Sequence, residues 1–185
     1  MVPAKPELQD GAVRLRLVED QDAPLIVELR NTTKGQILPR GAMNPQDQAD
    51  WIAKYKVREA MGSEFYFAIE WEATVVGFVR VYGISAVKGT FSWGSWVIRH
   101  GTPMLVSLVT VRLIYDFTFG DADLKRAEFD VRLANPNVIR FHCQTGATEI
   151  RRDAIDVFFA YSAEQYRAYR PRLNSLIASL QLTNA

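Results

Sequence analysis

The sequence predicts an α/β protein in which helices cover both faces of one mixed β-sheet. Three observations indicate this class. The chain contains both strand patterns and helix patterns, and its length of 185 residues suits a single domain with a sizeable core. Three predicted strands follow one another closely within residues 64–98, which favours antiparallel pairing. Residues 89–132 have the order strand, helix, strand, which favours a parallel pair joined by a right-handed crossover.

The N-terminal elements follow from local pattern. An alternation of apolar and basic residues indicates a half-buried strand, and apolar residues at helical spacing behind acidic residues indicate a helix. A second helix has Asn44 as its predicted N-cap and Pro45 at its first position. The predicted elements are, in order, a flexible arm, a strand, a helix, a loop and a helix, at residues 1–10, 12–18, 19–31, 32–43 and 44–60.

Three strands are predicted at residues 64–72, 74–84 and 89–98, the first two forming a hairpin. A long apolar helix then spans 102–119, with Thr102 as its cap and Pro103 at its first position.

The C-terminal part adds strand, helix, strand and helix, at residues 126–132, 135–146, 153–162 and 163–180. Gly146 closes the first of these helices, and a break is expected before Pro171 in the second. The predicted order is β-α-α-β-β-β-α-β-α-β-α. One domain is expected over 11–163, with 164–185 as its C-terminal helical extension.

Composition removes several classes of function. A formal net charge of +1, from 22 basic and 21 acidic residues, is too low for a general nucleic-acid binder. The single cysteine, Cys143, cannot form an internal disulfide or a cysteine-based zinc site, and no metal is expected. The longest apolar stretch, near residues 103–119, is interrupted by polar residues, so no membrane association is expected. A reducing cytoplasm suits such a chain.

A local motif then narrows the class. In "NPNVIRFHCQTG" a pattern like N-x-x-x-I-R-L-Y-E-K-x-G-F is matched by Asn135, Ile139, Arg140, Phe141, His142 and Gly146. His142 stands where the pattern commonly has Tyr, and Ala147 where it has Phe. With the element order, this resembles the GNAT N-acetyltransferase superfamily over residues 12–162. The resemblance implies transfer of an acetyl group from acetyl-CoA, as co-substrate, to a small-molecule primary amine.

The resemblance also implies a coenzyme site at the fourth predicted strand and the two helices near it. Its expected residues are Trp96, Val97, Ile98, Arg99, His100, Gly101, Thr102, Met104, Asn135 and Arg140. The family's glycine-rich phosphate loop, Q/R-x-x-G-x-G/A, is reduced here to one glycine in "IRHGTPMLV". Free amides at a helix N-terminus still suit a pyrophosphate, so we expect Met104, Leu105 and Val106 to provide them. The alternative is a well-capped helix without a ligand.

His142 takes the place of the family's Tyr, which implies a proton donor for the departing thiolate. An imidazolium is a competent acid near neutral pH. The alternative is a histidine that packs at a helix end. Cys143 lies about 100° further round the helix, so the two residues cannot act as nucleophile and base. Cys143 is expected to be a buried small apolar residue.

Acceptor binding is expected at aromatic side chains on neighbouring strands, with Tyr82 and Trp93 as substrate-binding residues beside Phe91 and Trp96. The alternative is an aromatic sheet face packed on a helix. Carboxylate pairs that could supply a general base are Glu128 with Asp130 and Glu70 with Glu72. Surface charge is the alternative for both pairs, and a water relay could replace a side-chain base.

Several functions stay open at this point. The sequence run most resembles bacterial GNAT proteins that acylate nucleotide-linked amino sugars, which makes a nucleotide sugar the finer expectation for the acceptor. Enzymes like the ribosomal-protein N-terminal acetyltransferases share the layout. A GNAT-fold binding module without catalysis would explain the single glycine and the missing Tyr. An unrelated α/β module would lack a splayed gap between the fourth and fifth predicted strands. A homodimer is compatible with each reading.

Overall fold

The structure, a computed structural model, describes residues 6–32 and 44–183. In these residues the strands β1–β8 span Leu8–Asp10, Val13–Leu17, Phe65–Trp71, Thr74–Ser85, Thr90–Ile98, Arg126–Arg132, Thr148–Arg152 and Asp156–Ser162. The helices α1–α5 span Ala23–Arg30, Pro45–Ala60, Met104–Tyr115, Pro136–Gln144 and Ala163–Thr183. A short 3-10 turn, Asp20–Asp22, precedes α1, and a π-helical segment, Asp116–Asp121, extends α3.

The described strands form one eight-stranded sheet in the order β1-β2-β3-β4-β5-β6-β8-β7. Neighbouring strands are antiparallel except β5 and β6, which are parallel. The connection between these two strands contains α3, so it has the strand–helix–strand form that the sequence predicts. The mixed α/β sheet flanked by helices is confirmed.

Two apolar clusters form the core, one on each face of the sheet. The larger cluster packs α3 and α5 against the sheet, with Val106, Ile114 and Leu173 fully buried. The smaller cluster packs α1 and α2 against the other face through Ile26 and Ile52. Because side chains alternate along a strand, β3 contributes Phe67 to the larger cluster and Tyr66 and Ala68 to the smaller one. The faces are called the α3 face and the α2 face below.

The hairpin between β3 and β4 turns in two residues, Glu72 and Ala73, directly after the pair formed by Trp71 and Thr74. Both turn residues have positive φ, 49° and 60°. A two-residue hairpin turn with two positive φ values matches the right-handed twist of the strands and favours Asn and Gly. The turn therefore has the usual geometry of a two-residue hairpin, but Glu72 and Ala73 are strained at positive φ because both have a Cβ atom.

The structure contains two strands that the sequence does not predict. Residues 8–10, expected within the flexible arm, form β1 and pair with β2. Residues 148–152 form β7 at the opposite edge of the sheet, where all five are exposed. A strand exposed on both faces shows no apolar alternation, so its sequence carries no strand signal. Residues 1–5 of the expected arm and 33–43 of the expected loop lie outside the described residues.

Two helix predictions are wrong in detail. Pro103 has an extended ψ of 144° and is itself the cap position, so α3 begins at Met104 and Thr102 makes no side-chain cap. Helix α5 continues through Pro171 without a break. Tyr166, Leu173 and Ile177 lie on one side of this helix and are at most 3% exposed. Their burial on both sides of Pro171 offsets the loss of one backbone hydrogen bond.

Candidate active site

The parallel strands β5 and β6 separate soon after they begin. Their paired residues are Thr90 with Arg126 and Phe91 with Ala127, although β5 continues to Ile98. Beyond Phe91 the strands diverge and leave a gap that opens toward their carboxyl ends. This is the splayed gap that distinguishes the GNAT-like expectation from an unrelated α/β module. Crevices at the carboxyl ends of parallel strands are common ligand sites in open sheets.

A bulge in β5 shapes one wall of the gap. Phe78 pairs with Val97 and Arg80 with Gly94, so two residues of β5 lie opposite one residue of β4. Ser95, one of the two, has a φ of +48°, as expected of a residue within a bulge. The extra residue reverses the alternation of β5. Trp93 before the bulge belongs to the core on the α3 face, whereas Val97 after it belongs to the core on the α2 face.

The backbone of β5 presents the Ile98 amide to the gap. Arg99 donates its N–H to the Val76 carbonyl at 2.7 Å, so it is directed toward β4. Amides along a strand alternate in direction, so Val97 also donates toward β4 and Ile98 donates toward the gap. Of the two expected coenzyme-site residues Val97 and Ile98, only Ile98 therefore presents its amide to the gap, where it can donate to a ligand oxygen.

Gly77 permits the close approach of β4 to β5 at this point. A Cβ added at Gly77 would lie 2.5 Å from the Val97 carbonyl oxygen and 3.1 Å from the Ile98 Cα. Real Cβ atoms do not approach a backbone oxygen so closely. A side chain here would push β5 outward and displace the Ile98 amide.

The turn after β5 leads directly into α3. Thr102 donates its N–H to the Arg99 carbonyl at 3.3 Å, and Gly101 has a φ of +84° in the third position of that turn. A type II turn requires positive φ there, which glycine adopts without strain. The single glycine of "RHGTP" thus has a conformational role. The chain enters α3 with Arg99, His100 and Gly101 exposed.

The first turn of α3 carries amides suited to an anion. The Val106 N–H donates to the Pro103 carbonyl at 3.0 Å, so the expectation that Val106 offers a free amide is wrong. Met104 and Leu105 precede it in the helix, and in the described part of the chain their N–H groups have no backbone acceptor. A helix N-terminus with free N–H groups and a positive dipole end favours phosphate.

Helix α4 follows β6 at the other side of the gap. Asn135 is its N-cap residue, but its side chain makes no cap hydrogen bond and is half-buried. The Asn135 side chain therefore does not cap the helix. Its backbone carbonyl instead accepts from Val138 and Ile139, each at 3.2 Å. Arg140 is exposed on the next turn. The N-termini of α3 and α4 both lie at the carboxyl ends of the diverging strands.

His142 is buried on the inner side of α4 and is only 4% exposed. Its ring lies 4.5 Å from Phe129, 5.3 Å from Phe141, 5.7 Å from Phe159 and 5.9 Å from Trp93, between ring centroids. Burial among these rings lowers the pKa of His142 to about 3. A pKa this low disfavours the imidazolium acid that the resemblance implies at neutral pH, and the catalytic role of His142 stays a prediction. The ring is neutral, and its Nδ1 atom is buried without a hydrogen-bond partner in the described residues.

Cys143 is exposed, so the expectation of a buried cysteine is wrong. The inner side of α4 is occupied by His142, and the next residue is turned about 100° away from it. The two side chains therefore lie in different environments, as expected for residues that do not form a dyad.

The expected aromatic acceptor surface is divided between the two faces of the sheet. Trp93 is 5% exposed and belongs to the core on the α3 face, where its Nε1–H donates to the Tyr115 hydroxyl at 3.1 Å. Phe91 is buried in the same core. Tyr82 is half-buried on the α2 face, next to Arg80 on the same strand. The structure does not bring Tyr82 and Trp93 together, because Val81 and not Tyr82 is the partner of Trp93.

Carboxylates near the gap differ in their surroundings. Glu70 is held by Arg14 and Arg16 at 2.9 and 2.7 Å, on β3 away from the gap. Asp130 lies on the part of β6 that has separated from β5, with its side chain on the α2 face. Asp130 is itself exposed, and the partial desolvation of its carboxyl by the surrounding residues, with a further contribution from the negative charge of Asp156, raises its pKa. Glu128 on the same face is 53% exposed and pairs with Arg126.

Residues 6–32 and 44–183 contain no group of three or more His, Cys, Asp or Glu side chains that could hold a metal ion. None of the helices that they form is both long and apolar enough to cross a membrane.

Comparison with known proteins identifies the family. A family profile described as "Acetyltransferase (GNAT) domain" matches residues 12–148. Among solved structures, apo FdhC, a nucleotide-linked sugar GNAT, superposes with a TM-score of 0.81 at 28% identity, covering 91% of this chain and 96% of FdhC.

Two other solved structures share the fold at lower identity. RimJ of Mycobacterium smegmatis, in complex with CoA-disulfide, has a TM-score of 0.72 at 19% identity, covering 89% of this chain and 91% of RimJ. Mutant forms of the spermidine/spermine N-acetyltransferase SpeG of Vibrio cholerae have a TM-score of 0.68 at 16% identity, covering 86% of this chain and 98% of SpeG. A search of curated proteins found no match. The chain belongs to the GNAT acetyltransferase family and is an N-acetyltransferase.

Proposed function

We propose that this protein transfers the acetyl group of acetyl-CoA to the amino group of a nucleotide-linked amino sugar. The observation that carries the choice of acceptor is the likeness to FdhC, a nucleotide-linked sugar GNAT, at 28% identity over 91% of this chain. The likeness to RimJ, at 19% identity, extends to the fold alone. We further propose that the enzyme works in the cytoplasm.

The residues present fit acetyl-CoA. We assign its pyrophosphate to the N-terminus of α3, with the amides of Met104 and Leu105 as donors. The exposed turn Arg99–Thr102 would contribute a guanidinium and further backbone groups, and Arg140 a second positive charge. The pantetheine arm would lie in the gap along Trp96, Val97 and Ile98, with the free Asn135 side chain facing it from α4. Acetyl-CoA supplies the activated acyl group as a thioester.

The chemistry requires a neutral amine and stabilisation of the carbonyl oxygen as it gains negative charge. The Ile98 amide, directed into the gap, is our candidate for that stabilisation. Asp130 is our candidate for the group that accepts a proton from the amine, since its raised pKa makes it a better base than an ordinary carboxylate. His142 would be a neutral wall of the site and not a proton donor. A thiol has an ordinary pKa of about 8.5, so its thiolate is a good leaving group without a strong acid.

Acceptor profiling tests the proposal. The purified protein is incubated with radiolabelled acetyl-CoA and, separately, with nucleotide-linked amino sugars, free amino sugars, polyamines and peptides with free N-termini. We expect the highest kcat/KM for a nucleotide-linked amino sugar. Preference for a peptide N-terminus would replace the proposed acceptor by that of the ribosomal-protein N-terminal acetyltransferases.

A binding measurement tests the alternative that the protein is a GNAT-fold binding module without catalysis. Acetyl-CoA at 100 times its Kd is expected to stabilise the folded protein by about 2.7 kcal/mol, visible as a higher Tm. Such a shift without acetyl transfer to any acceptor would indicate a binding module that has lost catalysis. No shift at millimolar acetyl-CoA would contradict the assignment of the coenzyme site.

A further inference from the structure

A group of charged and aromatic side chains lies on the α2 face, outside the coenzyme site. It consists of Trp51 and Arg58 on α2, Glu64 just before β3, and Arg80 and Tyr82 on β4. We call the two arginines of this group, Arg58 and Arg80, the arginine pair. From it we propose that Arg58 and Arg80 bind the diphosphate of the nucleotide-linked acceptor. This inference rests on the proposed function and assigns a subsite to it.

The two positive charges of the arginine pair face only one negative charge, that of Glu64. Glu64 is buried, with its side chain 7% exposed, and both of its oxygens are occupied. Arg58 Nε donates to one oxygen at 2.6 Å, while Arg80 donates to the other through Nε at 3.0 Å and Nη2 at 2.6 Å. The contact with Arg80 alone would pair the buried carboxylate. The second guanidinium leaves one positive charge in excess, at side chains that are 39% and 23% exposed.

Aromatic rings hold both guanidinium groups in place. The Arg80 guanidinium lies 4.8 Å from the Trp51 ring and 5.1 Å from the Tyr82 ring. The Arg58 guanidinium lies 5.2 Å from the Trp51 ring. Trp51 is in turn stacked on Tyr55, with ring centroids 5.6 Å apart and planes 4° apart. Arginines whose orientation is fixed in this way lose little entropy when they bind an oxyanion. Glu64 takes the Nε and Nη2 donors of Arg80 and the Nε donor of Arg58, and the Lys54 carbonyl accepts from Arg58 Nη1 at 3.3 Å. A phosphate would therefore be bound through the remaining N–H groups of the two guanidinium groups.

The arginine pair lies beside the gap. Arg80 Nη1 is 3.4 Å from the Ser95 hydroxyl, within the bulge of β5, and Arg80 lies opposite Gly94. A Cβ added at Gly94 would lie 3.5 Å from the Tyr82 hydroxyl, so Tyr82 borders the same space. Ile98, whose amide is assigned to the reacting carbonyl, is three residues after Ser95 on β5. Three residues of extended strand span roughly 10 Å, and the bulge at Ser95 makes the actual separation shorter. A sugar ring and its glycosidic phosphate span a distance of this order between the amino group and the diphosphate.

The preferred test uses Arg58→Gln, because Arg80 then still pairs Glu64 and the buried charge stays compensated. The probe is uridine diphosphate, titrated by calorimetry into the protein. The protein is first saturated with CoA, because CoA also contains a diphosphate and its own site must be filled before the titration. We expect the Kd for uridine diphosphate to rise about tenfold to a hundredfold in Arg58→Gln, as is typical for loss of one hydrogen bond to a charged group. Arg58→Lys keeps the positive charge but not the planar guanidinium, so its Kd for uridine diphosphate should lie between those of wild type and Arg58→Gln.

A matched control is Arg152→Gln on the edge strand β7, where an exposed arginine pairs with Glu149. It changes the net charge equally and is expected to leave the Kd unchanged. An equal Kd in wild type and Arg58→Gln would overturn the proposal, as would an Arg58→Gln protein that loses CoA affinity instead.

Kinetics separate this proposal from the function on which it rests. If nucleotide-linked amino sugars are acetylated with the same KM in wild type and Arg58→Gln, the assigned subsite is wrong and the proposed function stands. If no nucleotide-linked sugar is acetylated and uridine diphosphate does not bind, the proposed acceptor itself is wrong. A selective rise in KM for the nucleotide-linked sugar, with the KM for a free amino sugar unchanged, would support the subsite.

Discussion

Replacing His142 by Phe should remove most of the acid sensitivity that this residue gives the fold. In the folded protein the pKa of His142 is lowered to about 3, because the ring is buried among aromatic side chains. In the unfolded chain a histidine has a pKa of about 6.5. Between these values the unfolded state binds a proton that the folded state does not, so stability falls as the pH drops through the unfolded-state value.

The size of the effect follows from these two values. Between pH 8 and pH 5, protonation of this one histidine in the unfolded chain lowers the free energy of unfolding by about 2 kcal/mol. This result depends little on how far below pH 5 the folded-state pKa of His142 lies. For a domain of this size, 2 kcal/mol corresponds to a change in Tm of about 4–8 °C. Phe has a ring of similar size and cannot take up a proton.

Urea unfolding of wild type and His142→Phe at both pH values, followed by circular dichroism, measures the difference. The loss of stability between pH 8 and pH 5 should be about 2 kcal/mol smaller in the variant. His100→Gln, which removes the other histidine from the exposed turn before α3, is expected to keep the wild-type loss. Equal losses in wild type and His142→Phe would refute the reasoning. A large fall in kcat at neutral pH with unchanged affinity would restore the acid role to His142.

Three further changes test other parts of the structure. Gly77→Ala introduces a Cβ at 2.5 Å from the Val97 oxygen, and we expect a loss of about 1–3 kcal/mol of stability and a lower kcat, from urea unfolding and steady-state kinetics; unchanged values would show that β5 does not need this close approach. Ala73→Gly relieves a φ of 60° and should stabilise the protein by about 0.5–1 kcal/mol in thermal unfolding, an effect that a destabilised variant would contradict. Asp130→Asn should lower kcat about a hundredfold and remove the loss of activity at low pH, and the raised pKa of Asp130 shifts that loss toward higher pH. Glu128→Gln, on the same strand face, is its control, and equal pH profiles in the two variants would exclude Asp130 as the base.

The fold could be predicted from the sequence because most elements carry their own signal. Val13, Leu15 and Leu17 alternate with arginines in β2, and Ala127, Phe129 and Val131 alternate with charged residues in β6. Edge strands such as β7 were missed because none of their residues is buried. The bulge at Ser95 has no signal either, since a left-handed serine is fixed by the register of β5 against β4.

The candidate site was predictable in its backbone and less so in its side chains. Residues 96–102 and Asn135 lie at the ends of β5 and β6 because the crossover brings the carboxyl ends of parallel strands to one edge. Tyr82 and Trp93 were expected to act together, but the inter-strand register, which periodicity does not specify, sets them on opposite faces. Arg58 on α2 and Arg80 on β4 meet at Glu64, just before β3, and short-range spacing does not predict contacts between such distant residues.

The early separation of β5 and β6 gives this sheet two edges in its interior as well as two at its rim. Each diverging strand leaves a row of backbone donors and acceptors on the gap side, and such rows are templates for any extended chain. A ligand with amide groups along its length can complete the ladder in the manner of an added strand. We expect such a ligand to close this interior edge, and amide hydrogen exchange at Ile98 would report how far it is closed.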